Sequence, residues 1–159
     1  MKTVDSGPEK AGTIRVEPHP SLELKYHHGC MSVPDLDSSI AWYGSMLGFA
    51  LESTVFLDLV PAKVAMLRRG ELRIELFEVP GAAPAPKSRQ DPDEDVRTHG
   101  NKHVAFAVQD VHAAIEELQR KGADIVFVKD FEFASCAFIR DNAGNLIELI
   151  EQPDLWRKK

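Results

Sequence analysis

Two histidines and two glutamates recur at matching places in this chain of 159 residues. His28 stands at the head of the alternating run His28-Gly29-Cys30-Met31-Ser32-Val33, and His103 at the head of His103-Val104-Ala105-Phe106-Ala107-Val108. An Asp follows each His seven positions on, Asp35 and Asp110. Farther along, Ile74-Glu75-Leu76 is echoed by Ile147-Glu148-Leu149, and each triplet is followed two positions later by a second Glu, Glu78 or Glu151. The His-to-Glu separation is 47 residues in the first instance and 45 in the second. Imidazole nitrogen and carboxylate oxygen together suit a divalent first-row metal, with positions left for water or substrate. The chemistry to test is therefore a metal site built from His28, Glu75, His103 and Glu148.

The register of the echo is regular. A shift of 75 positions carries His28, Val33, Asp35 and Ile40 onto His103, Val108, Asp110 and Ile115, the same residue type each time. Such order indicates an internal duplication. Any one of the four side chains alone could be a strand-end His or a solvent-facing Glu, but that does not account for the set. His27 competes with His28, yet it points to the opposite face of a strand, and the match to His103 selects His28. His19, His99 and His112 fall in loop or helix-surface contexts.

The elements that must position these groups follow from periodicity. A strand-like pattern runs from Leu22 to Val33. Leu36, Ile40, Tyr43 and Leu47 then recur at helical spacing, with Asp35 or Asp37 as N-cap and Gly48 as stop. Strands are expected near 49–58, 63–69 and 71–79, with Arg69-Gly70 at a turn. The second unit repeats the order: a strand at 102–109, a helix with Val111, Ile115 and Leu118 inward, then strands near 124–129, 133–140 and 145–151. Each unit reads βαβββ. Alternation puts His28 on one face with Cys30 and Ser32, and His103 with Ala105 and Ala107. Glu75 shares a face with Arg73 and Phe77, and Glu148 with Leu146 and Ile150. Carboxylates among apolar strand neighbours are costly unless paired or metal-bound.

Boundaries follow. Residues 1–21 read as a flexible N-terminal segment, 22–79 as the first module, 80–100 as a linker, 101–152 as the second module and 153–159 as a tail carrying Trp156. Pro80, Pro84, Pro86 and Pro92 with the acidic cluster Asp91–Asp95 argue against a packed element in the linker. Hydrophobic content of 43%, charged content of 28% and a net charge of −6 fit a soluble domain and argue against nucleic-acid or anionic-membrane binding. No apolar run approaches the roughly 20 residues that span a bilayer, and no apolar signal core stands at the start. Cys30 and Cys136, both in apolar runs, read as buried free thiols. The expected setting is cytoplasmic.

With these residues in view, His28 through Phe49 resembles the opening module of the vicinal oxygen chelate superfamily, which includes glyoxalase I, methylmalonyl-CoA epimerase, extradiol dioxygenases, fosfomycin-resistance proteins and bleomycin-binding proteins. Phe138-Ile139-Arg140-Asp141-Asn142-Ala143-Gly144-Asn145-Leu146-Ile147-Glu148-Leu149 looks like its closing motif. The resemblance covers about residues 22–152, which it joins as one domain. It implies an α+β fold of two tandem βαβββ modules, a cupped, mostly antiparallel sheet with helices outside. The family's four ligand places fall on His28, Glu75, His103 and Glu148, a set similar to that of glyoxalase I. Epimerases usually carry Gln where Glu75 stands. Two departures are plain: glyoxalase I commonly has Arg and Asn four residues past the first and second ligands, where this chain has Ser32 and Val79.

The reading that results is a metal-dependent lyase or isomerase that takes a small-molecule substrate with adjacent oxygens and abstracts a proton next to a carbonyl. The cofactor is a divalent ion from among Ni, Zn, Fe, Mn and Co. Glu75 and Glu148 are the catalytic candidates. Glu148 suits the general base through its apolar neighbours, and Arg73 beside Glu75 suits a plain ligand there. The alternatives are an extradiol-type dioxygenase and a non-catalytic small-molecule binder. A homodimer is expected, with modules paired within one chain or exchanged between two.

Overall fold

A computed structural model describes residues 23–157; the expected flexible segment 1–21 and the last two lysines of the tail lie outside the described residues. The first module runs β1 (Gly29–Ser32), α1 (Leu36–Leu47), β2 (Ala50–Leu57), β3 (Ala62–Arg69) and β4 (Leu72–Glu78). A connection holding a 3-10 turn (Lys87–Gln90) and the one-turn helix α2 (Pro92–Asp95) leads to the second. That module runs β5 (Val104–Val108), α3 (Val111–Arg120), β6 (Asp124–Asp130), β7 (Ser135–Arg140) and β8 (Leu146–Glu151). The two sheets have the same strand order, β1-β4-β3-β2 and β5-β8-β7-β6. In each, the first strand lies parallel to the last and the other pairings are antiparallel. This is the α+β, duplicated βαβββ fold expected from the sequence.

The duplication extends to details that no local signal announces. A bulge interrupts the β2–β3 ladder between Leu51 and Ser53, and another interrupts β6–β7 between Ile125 and Phe127. Asp35 and Asp110 are both N-caps: their Oδ1 atoms accept the amides of Ser38 and Ala113 at 2.9 Å. Glu78 and Glu151 reach from the ends of β4 and β8 to accept the first amides of the helices, Leu36 N at 2.8 Å and Val111 N at 3.2 Å. A carboxylate at a helix start satisfies an otherwise orphaned donor and meets the positive end of the dipole. The second Glu of each repeated motif therefore holds helix to sheet.

One core serves both modules. Leu67, Ile74 and Leu76 from the first sheet and Ile139, Ile147 and Leu149 from the second are all at most 3% exposed, and they join Tyr43, Leu47, Ile115 and Leu118 from the helices. Each such burial contributes roughly 1.5–3 kcal/mol. The modules abut where β1 meets β5: a Cβ placed on Gly29 would stand 3.5 Å from Val104 Cγ2. His28 and His103 are the residues immediately before these two contact points.

Three expectations change. The strand expected from Leu22 begins only at Gly29, and residues 23–28 form no regular element. The proline-rich connection, expected to hold no packed element, carries α2 with Pro92 and Asp95 buried. It is tied to the second module by Arg140 Nε donating to Gln90 O at 2.6 Å. Cys30 is exposed, whereas Cys136 is buried as expected. Among the described residues, no helix is long and apolar enough to cross a membrane.

Candidate functional site

The four residues singled out by the repeat meet as two matching pairs. His28 Nε2 stands 3.2 Å from Glu75 Oε2, and His103 Nε2 stands 3.1 Å from Glu148 Oε2. Register accounts for the match. Cys30 lies opposite Glu75 in the β1–β4 ladder, and Ala105 lies opposite Glu148 in β5–β8. Each His is two residues before that partner, so it shares its face and leans onto the carboxylate. The odd-numbered core residues of β3, Ala65 and Leu67, face the helices, so the pairs occupy the opposite face of each sheet. All four side chains are partly covered, with the His at 30% and 26% exposure and the Glu at 22% and 19%. Among the described residues, no three His, Cys, Asp or Glu side chains gather as a single metal-binding cluster. The four donors stand as two pairs.

The surroundings of the pairs differ. Glu148 lies between Ala105 and Phe138 across the ladder and between Leu146 and Ile150 along its own face. Phe138 also meets the His103 ring edge-on at 4.8 Å between centroids. Glu75 lies between Cys30 and Met66. Burial, and then the adjacent Glu75 carboxylate, push the Cys30 thiol up to about 11. The neutral thiol is a poor nucleophile, which agrees with assigning Cys30 no catalytic part. The Nδ1 atoms of His27 and His28 approach to 2.6 Å, so the first pair has a second imidazole at its back.

By sequence, Arg73 stands beside Glu75 as the cation that makes Glu75 a plain ligand. The structure gives Arg73 another partner. Glu52, the extra residue of the β2 bulge, takes both Arg73 Nε and Nη2 at 2.9 Å. Those bonds hold the Glu52 carboxyl below its usual range. Glu52 was not legible as a site residue, because its role depends on a bulge that turns it toward the β4 face. Arg140 on β7, the counterpart of Arg68 on β3, is paired with Asp124 at 3.1 Å and with Gln90 O, and Leu146 stands where the first module has Arg73. His112, expected on a helix surface, pairs there with Asp130 at 2.9 Å. A cavity of about 880 Å³ opens elsewhere, on the helix side between Met46, Phe49, Phe106, Leu118 and Trp156, and contains none of the four candidates.

Each pair offers one imidazole nitrogen and one carboxylate oxygen, donor types that suit a divalent first-row ion.

Comparison with known proteins agrees with the fold. The model of the Glyoxalase/Bleomycin resistance protein/Dioxygenase superfamily matches residues 25–149. The protein YaeR of Escherichia coli K12 is 30% identical over 129 residues, covering 79% of this chain and 95% of that one. A 2-epi-5-epi-valiolone epimerase from Actinomyces is 32% identical over 108 residues; the match covers 58% of this chain and 56% of the epimerase. Among solved structures, the trypanothione-dependent glyoxalase I of Leishmania major superposes with a TM-score of 0.65 at 21% identity, covering 84% of this chain and 90% of that enzyme. That likeness is one of fold. Taken with the duplicated βαβββ modules and the match over residues 25–149, these findings make the chain a member of the Glyoxalase/Bleomycin resistance protein/Dioxygenase superfamily.

Proposed function

We propose that this protein is a metal-dependent, glyoxalase-like lyase or isomerase that moves a proton next to a carbonyl in a small substrate carrying adjacent oxygens. The observation that carries the reading is the pair of equivalent Nε2–Oε2 contacts, His28–Glu75 and His103–Glu148, at 3.2 and 3.1 Å. Two ligand pairs at equivalent register positions would hold one divalent ion between the modules. When bound, that ion supplies Lewis-acid polarisation of the substrate oxygens.

The protein's own residues do the rest. His28 and His103 serve as imidazole ligands, each held just before its strand. Glu148, set among Ala105, Phe138, Leu146 and Ile150, takes the proton from the substrate carbon and returns it, as a general base then acid. Glu75, between Cys30 and Met66, serves as a ligand. Ser32 and Val79, in place of the Arg and Asn common in glyoxalase I, favour a substrate other than a glutathione adduct. The epimerase among the relatives supports the isomerase side of the reading.

Metal analysis of the purified protein, followed by an activity screen over α-ketoaldehyde–thiol adducts, acyl-CoA thioesters and catechols, tests this. The expected result is one ion per pair of modules and metal-dependent exchange of substrate protons with solvent. Iron-dependent oxygen uptake with a catechol would replace the reading with a dioxygenase. Tight ligand binding that needs no metal would replace it with a sequestering protein.

A further inference from the structure

The duplication fails in one respect: how the chain enters each His-bearing strand. Asn101 and Lys102 precede His103, and both are tied to one buried carboxylate. Asp95 is 1% exposed; its Oδ1 forms an ion pair with Arg89 Nε at 2.6 Å and accepts Lys102 Nζ at 3.4 Å. Arg89 in turn donates from Nη2 to Asn101 O at 2.5 Å. Directly and through Arg89, Asp95 thus holds the two residues before His103. Among the described residues, nothing comparable precedes His28. Glu23, Leu24, Lys25 and Tyr26 are exposed and make no side-chain hydrogen bond or ion pair to another described residue, and the side-chain contact of His27 is with the His28 ring itself, Nδ1 to Nδ1 at 2.6 Å.

Asp95 has no other evident duty. Asp91 is the N-cap of α2, accepting Asp93 N at 2.9 Å, so the helix does not need a second carboxylate at its end. Asp95 Oδ2 is buried with no hydrogen-bond partner among the described residues. A buried carboxylate oxygen left unpaired is costly, and a chain keeps such a group where it fixes something else.

We propose that Asp95 is a positioning residue for His103. It presets the imidazole of His103 before a metal binds. A ligand held in place before binding loses less freedom on binding, and partners behind a ligand typically set metal affinity within a factor of about 10–100. This rests on reading His103 as a ligand, but the first arm of the test does not need a metal.

The duplicated site supplies its own reference. Asp95→Asn keeps the shape and removes the charge; Arg89→Gln cuts the link to Asn101 at a residue that is about one-third exposed. In metal-free protein with labelled histidine, the ring signals of His103 are expected to shift and broaden in both variants, while those of His28 stay as in the parent. Cobalt(II) affinity, read from its visible absorption, is expected to fall about tenfold with the number of bound ions unchanged. Unchanged His103 signals in folded variants, or equal changes at His28, would overturn the proposal. Loss of the folded spectrum in both variants would also overturn it, because Asp95 would then be a general stability element. A parent protein that binds no cobalt would sink the metal reading alone, and the ring signals would still decide the role of Asp95.

Discussion

Tyr43 Oη donates to Asp141 Oδ2 at 3.0 Å, joining the helix of the first module to the closing turn of the second across 98 positions. Asp141 also accepts the amides of Ala143 and Asn145 and the side-chain amide of Asn145, at 2.8–2.9 Å. Asn142 reaches Ser38 Oγ at 3.1 Å, and Asn145 reaches Ser32 O at 3.4 Å. The Asp141–Asn145 turn is thus a latch between modules. Burial, and then Asp141, push the Tyr43 phenol above its usual range.

Tyr43→Phe removes one buried hydrogen bond to a charged acceptor, and we expect a loss of roughly 1.5–3 kcal/mol in stability. Heat denaturation should fall by several degrees. The pH dependence has a definite sign. A phenol raised in the folded state stays protonated there while the unfolded chain ionises above about pH 10. Its contribution is complete below that pH and is lost as pH climbs. The parent should therefore weaken more steeply than Tyr43→Phe above pH 10. Parallel alkaline slopes would contradict the bond.

What could be read from the sequence was local or repeated. The N-caps Asp35 and Asp110 announce themselves by spacing from an apolar stripe, and the His and Glu pairs by recurring in register. What could not be read needed contacts between distant segments. Glu52 meets Arg73 only because a bulge turns it, and Asp95 is buried only because Arg89 and Lys102 close over it. Glu78 and Glu151 were visible in the repeat, yet their task required knowing that three positions along a strand reverse the face. Cys30 stood in an apolar run, but the face it shares with His28 is only partly covered, and the residue is exposed.

Glu78 offers a second pH test. Its bonds to Lys63 and to Leu36 N hold its carboxyl below the ordinary range. A carboxylate lowered in the folded state contributes above the unfolded value, about 4.3, and loses that contribution as pH falls through the folded one. Glu78→Gln should lower the denaturation midpoint by a few degrees at neutral pH and flatten the acid limb. A variant that melts with the parent at pH 7 and at pH 3 alike would show that the contact contributes nothing.

The expected homodimer has a candidate surface. β2 is an edge strand, exposed along its whole length, with Leu51, Val55 and Phe56 each more than half exposed. Exposed apolar edges favour association. Light scattering at micromolar concentration should give a dimer mass, and Leu51→Lys with Phe56→Lys should weaken self-association at least about tenfold, the equivalent of roughly 1.4 kcal/mol. A monomeric parent would refute the assembly.

The last prediction separates the two carboxylates. Both are proposed as ligands of one ion, but a base must also reach the substrate carbon and exchange a proton with it. Among the described residues the side-chain hydrogen bond of Glu148 is to His103, and its ladder and same-face neighbours Ala105, Phe138, Leu146 and Ile150 are apolar. It can swing toward the substrate without breaking another contact. Glu75 has Cys30 opposite it in the ladder, and the His28 that it faces is itself backed by His27. Its group is more tied. Removing a positioned base costs typically about 10²–10⁴ in rate. Glu148→Gln should therefore abolish deuterium incorporation into a bound substrate or analogue while keeping some metal. Glu75→Gln should keep most of the exchange, since a neutral amide oxygen can still occupy that ligand position. The comparison is made at matched metal loading. Equal losses would mean the proton is shared between the two, and full exchange in Glu148→Gln would remove it as the base.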